Sequence, residues 1–401
     1  MNDGTRRLIR ERFREYYSGH RVSVPPGLQQ REWGFIFYEE TYGVSMRRHK
    51  SFNTEGELRD YLRSMAPAHA YHSAAYYNHP RAPTMQEKDW LGADLIFDLD
   101  ADHLPGKFST YGEMLANVKV EIIRLIDQFL LDDLGFREKD LDIVFSGSRG
   151  YHVHVRDERV RGLKGPDRRE IVDYLLGTGL DLEHVITRST AIVEGQKGAK
   201  TAGVWRIREF TDSGGYGWNR RLAHYIANQL EETGRRDDKT AKEFLKQYGL
   251  DSRTAGMVLK KIRDPDILNR IRDQGLIELS GNIERFLKNM LSGTIDQFRV
   301  DVAGKTDEPV TADIKRLIRL PGSLHGGSSL RVTPLTRTQL ETFNPLEDAI
   351  VFSDDLVRVL VTRPAEVELK GKIYRISEGA GTLPESVAMF LMCRGSAEYE
   401  P

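Results

Sequence analysis

The stretch Leu95-Ile-Phe-Asp-Leu-Asp-Ala-Asp102 sets three carboxylates at every second position of a short apolar run. Side chains on a strand alternate between faces, so Asp98, Asp100 and Asp102 project from one face while Phe97, Leu99 and Ala101 fill the other. Anions held side by side on a core strand repel one another and lose solvation, and a cation between them relieves both costs. Hard divalent ions with oxygen ligands suit such a row. Read alone, the stretch fits an edge strand with a solvated acidic face equally well.

The chain has 401 residues, 39% of them hydrophobic, enough to bury the core of one large domain or two. Charged residues make up 30% but cancel to a net of −1, so any footprint for nucleic acid must be local. The single Cys393 excludes an internal disulfide framework and a Cys-rich zinc or iron-sulfur site within this chain, and suits a reducing cytoplasm. Residues 1–17 alternate Arg and Glu, and no apolar run approaches the roughly 20 residues of a membrane span. The expectation is a soluble, cytoplasmic protein without a signal peptide and with no membrane partner.

Apolar spacing predicts a helix over 5–17, strands over 33–38 and 42–48, and a helix over 55–65 stopped by Pro67. The cations Arg47-Arg48-His49-Lys50 read most simply as a solvated turn. Leu115, Val118, Ile122, Leu125, Ile126 and Phe129 mark a long amphipathic helix after the acidic strand. A strand over 141–145 then runs into Ser146-Gly-Ser-Arg-Gly-Tyr-His152, followed by Val153-His-Val155. That turn brings backbone N–H groups, a hydroxyl, a guanidinium and an imidazole to one place, as a phosphate requires; a tight hairpin with incidental polar residues is the plainer alternative. His154 reads as a core group.

From about 219 to 290 helices follow one another, with Ala241, Phe244, Leu245 and Tyr248 on one stripe and Ile283, Phe286, Leu287, Met290 and Leu291 on another. Beyond them lies Lys315-Arg-Leu-Ile-Arg-Leu-Pro-Gly-Ser-Leu-His325-Gly-Gly. Between Ile314 and Leu340 there are five Lys or Arg and no Asp or Glu, and the glycines allow a ligand close to the backbone. The tail carries a hairpin near 369–374 and a closing helix over 384–392, with no chemistry of its own.

An acidic strand, a Ser/Arg/His turn and a basic loop ending in His are the parts of phosphoryl transfer on a triphosphate. Carboxylates hold two metal ions about 3.5–4 Å apart while cations neutralise the phosphates. The chain has no Walker-type loop and no Gly-x-Ser-x-Gly elbow, and Cys393 has no recognisable His partner motif.

Phe97-Asp-Leu-Asp100, Ser146 to His152 and Leu317-Ile-Arg-Leu-Pro-Gly-Ser-Leu-His325 together resemble the three signature motifs of the archaeo-eukaryotic primases, in the archaeal form of their small catalytic subunit. Arg31-Glu-Trp-Gly-Phe35 resembles that family's early Arg-Glu-Phe-Ser-Phe stretch. The resemblance implies an α/β (α+β) primase core of two sheets around an acidic cleft, formed by 1–216 and 297–401, with a helical subdomain inserted at 217–296. It implies a nucleotidyltransferase that makes short RNA, or also DNA, primers on single-stranded DNA for replication. Asp98 and Asp100 would bridge two Mg²⁺ or Mn²⁺ ions. The family's third metal carboxylate lies eighteen residues before the loop histidine, which selects Asp307 over Asp301 or Asp313. Ser146, Arg149, His152, Arg319 and His325 would hold the incoming NTP or dNTP.

The implied partner is a large, iron-sulfur-containing subunit in a heterodimer. Two departures stand out. Many members carry a Cys/His zinc knob after the acidic strand, but residues 103–135 contain no cysteine, so no structural zinc is expected. Gly327 stands where the family often has lysine, which leaves one phosphate contact to Arg331 or to none. Two rivals keep part of the reading: a primase-polymerase relative acting in repair or end joining, and a non-catalytic nucleic-acid-binding subunit.

Overall fold

The computed structural model describes residues 1–38, 46–104, 107–179, 186–195, 198–207, 217–279, 283, 285–290 and 305–401, with backbone only for 103 and 186–204. Two compact units emerge. One joins Met1–Asp127, Phe136–Val172 and Lys305–Pro401; the other joins Gln128–Gly135 and Asp173–Gly304.

In the first unit, local chemistry sets the helix limits. The Asn2 side chain accepts the Thr5 N–H and opens helix Asp3–Gly19, which buries Ile9, Phe13, Tyr16 and Tyr17. Thr54 caps Glu55–Met65, which ends at Ala66 in left-handed conformation just before Pro67. Thr110 caps Tyr111–Arg124, and the predicted apolar stripe there is buried at Leu115, Val118 and Ile122.

Two four-stranded sheets position the site. One runs in the order Leu317–Arg319, His69–Ser73, Trp33–Ile36, Arg47–Lys50. The other runs Thr333–Leu335, Leu141–Phe145, Gly150–Val155, Leu95–Asp100. Part of the strand expected over 42–48 lies outside the described residues, and Arg47–Lys50 is an exposed edge strand. The acidic strand is also at the edge of its sheet, but its outer side is taken. The Asp98 carbonyl accepts the Asp307 N–H at 2.8 Å and the Thr306 hydroxyl at 3.3 Å. Helix Glu308–Ala312 follows at once. Ala74, Ile96, Val310 and Ile318, each no more than 4% exposed, form one apolar cluster that joins both sheets to this helix.

The predicted tail hairpin is Ala365–Leu369 with Lys372–Ile376, and the closing helix is Glu385–Cys393.

The second unit is built from helices Gly217–Arg235, Asp238–Gln247, Ser252–Ile262 and Pro265–Gln274. Asp237, Asp251 and Asp264 cap the last three. Ile283, Phe286, Leu287 and Met290 are buried, while Leu291 lies outside the described residues. The unit is wider than the 217–296 insertion expected from sequence. It takes in the two-stranded ribbon Ile186–Gly195 with Gly198–Ile207, because Trp205 and Arg206 pair with Ile277 and Leu276 at the end of the helical run. Among the described residues, no helix is long and apolar enough to cross a membrane.

Candidate active site

Asp98 and Asp100 face the same way from the acidic strand, and the strand Gly150–Val155 pairs with it so that His152 lies opposite Asp98 and Gly150 opposite Asp100. The His152 Nε2 is 3.4 Å from Asp98 Oδ1. Burial first, and Arg319 next, push the His152 pKa down to about 3, so the imidazole is neutral. Asp307 arrives from 209 residues farther along the chain through its backbone bond to Asp98. The three predicted carboxylates therefore share one neighbourhood.

Asp100 Oδ1 is buried, has no hydrogen-bond partner and lies 3.7 Å from Arg149 Nε. Such an orphaned carboxylate oxygen is what a cation satisfies. Burial raises the Asp100 pKa; Arg149 opposes this, and Asp98 and Asp102 add to it. The donor set, all carboxylate oxygens, suits a hard divalent ion such as Mg²⁺ or Mn²⁺. Among the described residues no group of three or more His, Cys, Asp or Glu is placed to hold a metal ion, so Asp98, Asp100 and Asp307 are neighbours here without being gathered as a ligand set.

The turn between Leu141–Phe145 and Gly150–Val155 is a hairpin loop. Ser146 N–H donates to the Gly150 carbonyl at 2.9 Å, and the Ser146 hydroxyl accepts the Gly150 N–H at 3.3 Å. Arg149 stands half exposed at its rim, paired with Asp102 at 2.8 Å. Gly147 has φ +82°, and a Cβ there would lie 2.7 Å from the His325 Cβ. Glycine thus brings the hairpin loop and the basic loop into contact. The Ser328 hydroxyl, which bonds the Gly147 carbonyl, fastens them.

His325 Nδ1 accepts the Gly327 N–H at 3.2 Å, which leaves the proton on Nε2 as a donor. Burial lowers its pKa well below the usual range, with Arg319, His69, Arg394 and Arg149 adding to the effect. Arg319 is half-buried, and its guanidinium meets His69 Nδ1 at 2.7 Å and the Tyr71 hydroxyl at 3.0 Å. Arg331 donates instead to Thr333 Oγ1 and to the Asp348 carbonyl, both at 3.4 Å.

The structure thus brings together Asp98, Asp100, Asp307 and His152 on one side, and Ser146, Arg149, Arg319 and His325 around the two loops. Sequence reasoning missed His69, Tyr71, Tyr111 and Arg394. Tyr111 donates to the Ser148 carbonyl at 2.6 Å, and Arg394, from the tail read as inert, stacks over the Tyr111 ring at 4.4 Å. The alternating His-Ala-Tyr-His-Ser of 69–73 was the signal available for the first pair. Arg394 carried none. Burial pushes the Cys393 pKa up to about 12, so this thiol stays protonated.

Residues 97–337 match a family model described as DNA primase small subunit. The protein named DNA primase small subunit PriS from Methanocella arvoryzae is 72% identical over 100% of both chains. Proteins of the same name from Methanococcoides burtonii and Methanothrix thermoacetophila are 44% and 45% identical, over 100% and 99% of this chain and 100% of each relative.

Proposed function

The chain belongs to the DNA primase small subunit family, and from that premise we propose that it is a catalytic subunit that starts RNA primers on single-stranded DNA by two-metal nucleotidyl transfer. The observation that carries this reading is the backbone bond from Asp307 to Asp98, which adds a third carboxylate to the Asp98 and Asp100 pair beside the two loops.

Asp98, Asp100 and Asp307 would hold Mg²⁺ or Mn²⁺. Bound there, the ions would lower the pKa of the attacking hydroxyl and offset charge on the leaving pyrophosphate. The chain's own part is positioning and charge. Ser146 and the loop N–H groups face the triphosphate, the half-buried Arg319 and the buried His325 Nε2–H supply a positive charge and a donor, and Arg149 exchanges Asp102 for a phosphate oxygen. His152 stays neutral and keeps its place beside Asp98 without competing with an ion for charge. A large subunit is the expected partner, since the name shared by the relatives is that of a small subunit, and the resemblance of the signature motifs implies that this partner carries the iron-sulfur cluster.

The test is synthesis on unprimed single-stranded DNA with ATP or with dATP, by the wild-type chain and by Asp98→Ala with Asp100→Ala. ATP-dependent synthesis that disappears in the double variant, with template affinity kept, supports the proposal. Incorporation of dATP alone supports the primase-polymerase alternative, and synthesis surviving the double variant removes the metal assignment.

A further inference from the structure

His69 sits at the start of strand His69–Ser73, outside every motif that points to nucleotide chemistry. Its Nδ1 nevertheless receives two donors from the basic loop: the Arg319 guanidinium at 2.7 Å and the Gly326 N–H at 3.3 Å. Its ring also meets the His325 ring edge-on, centroids 4.8 Å apart at 78°. One imidazole therefore touches the arginine, the histidine and the backbone of the loop assigned to the triphosphate.

The surroundings leave this contact little freedom. A Cβ on Gly326 would lie 2.7 Å from the Ala68 carbonyl oxygen, so the loop is pressed against the residue before His69. The Gly326 carbonyl is held from the other side by the Tyr38 hydroxyl at 2.7 Å. Two donors on Nδ1 require that nitrogen to be unprotonated and place the proton on Nε2. Burial, with the Arg319 charge, pushes the His69 pKa down to about 3, consistent with that tautomer. A guanidinium carries five N–H donors in a rigid planar fork, so the acceptors around it set its direction. Here His69 Nδ1 and the Tyr71 hydroxyl are those acceptors, and they are neutral, so they aim the guanidinium without cancelling its charge.

We propose that His69 is a positioning residue for nucleotide binding: its Nδ1 fixes the direction of Arg319 and the path of the Gly326 backbone that carries His325. The inference rests on the reading that Arg319 and His325 hold a triphosphate.

Two variants of similar bulk and polarity separate this role from plain stability. Asn places its amide oxygen near the position of Nδ1, whereas Gln places it near Nε2. In magnesium buffer, calorimetric titration with ATP and with inorganic tripolyphosphate is run on wild type, His69→Asn, His69→Gln and Arg319→Met, with single-stranded DNA affinity and Tm as controls. His69→Gln is expected to weaken both phosphate probes about tenfold and raise the nucleotide KM with little change in kcat. His69→Asn is expected to stay within about threefold of wild type, and DNA affinity to stay constant. Equal behaviour of Asn and Gln, or a loss confined to Tm, overturns the positioning role. If Arg319→Met binds tripolyphosphate as wild type does, the triphosphate assignment itself fails and the inference falls with it. If Arg319→Met loses binding while His69→Gln does not, only the inference falls.

Discussion

The Asp307 N–H donates to the Asp98 carbonyl at 2.8 Å, so the two residues are fixed as backbone neighbours by a bond that involves neither side chain. Asp307→Asn keeps that bond and the start of helix Glu308–Ala312, and changes only charge and donor chemistry. Primer synthesis is expected to fall by roughly three orders of magnitude, several kcal/mol of transition-state stabilisation. Tm and template affinity should stay at wild-type values. Synthesis within tenfold of wild type would remove Asp307 from the metal set.

The same neighbourhood depends on apolar packing. Ile96 is 1% exposed and shares its cluster with Val310, inside helix Glu308–Ala312, and with Ile318 beside Arg319. Ile96→Ala should cost about 2–5 kcal/mol in urea unfolding. Because the cavity opens between the acidic strand and both later segments, nucleotide KM should rise as well. A stability loss with unchanged kinetics would show that the cluster holds the fold and not the site.

Gly147 carries two separate constraints, a left-handed φ of +82° and the 2.7 Å approach of its absent Cβ to His325. Gly371, in the tail hairpin, has φ +69° with open space around it. Gly371→Ala therefore measures the backbone cost alone, about 1 kcal/mol. Gly147→Ala should cost clearly more and should weaken nucleotide binding, as it pushes the basic loop away. Equal losses in chemical denaturation would mean that the two loops yield freely.

What was legible in the sequence follows the range of the interactions. The acidic strand has a period of two within eight residues, and the hairpin at Ser146 joins strands adjacent in sequence, so both could be read locally. Asp307 could not: it precedes a five-residue helix without periodic signal, and only the family's spacing singled it out. His69 and Tyr71 acquire their role from strand pairing with 317–319, about 250 residues away, which no local pattern encodes. The second unit was read from its helices, while the ribbon that belongs with it is tied to them through Leu276–Ile277, two residues too short to show as a strand.

The buried imidazoles of His72 and His154, the latter opposite Ile96 in the sheet, stack at 5.8 Å with rings 30° apart. His72 Nε2 and both nitrogens of His154 have no hydrogen-bond partner. Burial, then Arg31 for His72 and Arg156 for His154, holds both pKa values well below the usual 6.5. The sign follows directly. The unfolded chain takes up a proton at each histidine near pH 6.5 and the folded chain does not, so stability present above that pH is lost as pH falls below it. Each such group steepens the loss by about 1.4 kcal/mol per pH unit. His154→Phe removes one of several such contributions, since His69, His152 and His325 are also held below the usual range, and it leaves no unpaired nitrogen at position 154, so it should be close to neutral at pH 7.5. Urea midpoints measured from pH 7.5 to 5 should then fall less steeply for the variant than for wild type, with the curves separating below pH 6.5. Parallel curves would place the acid sensitivity elsewhere and would mean that His154 exchanges protons with solvent in the folded state.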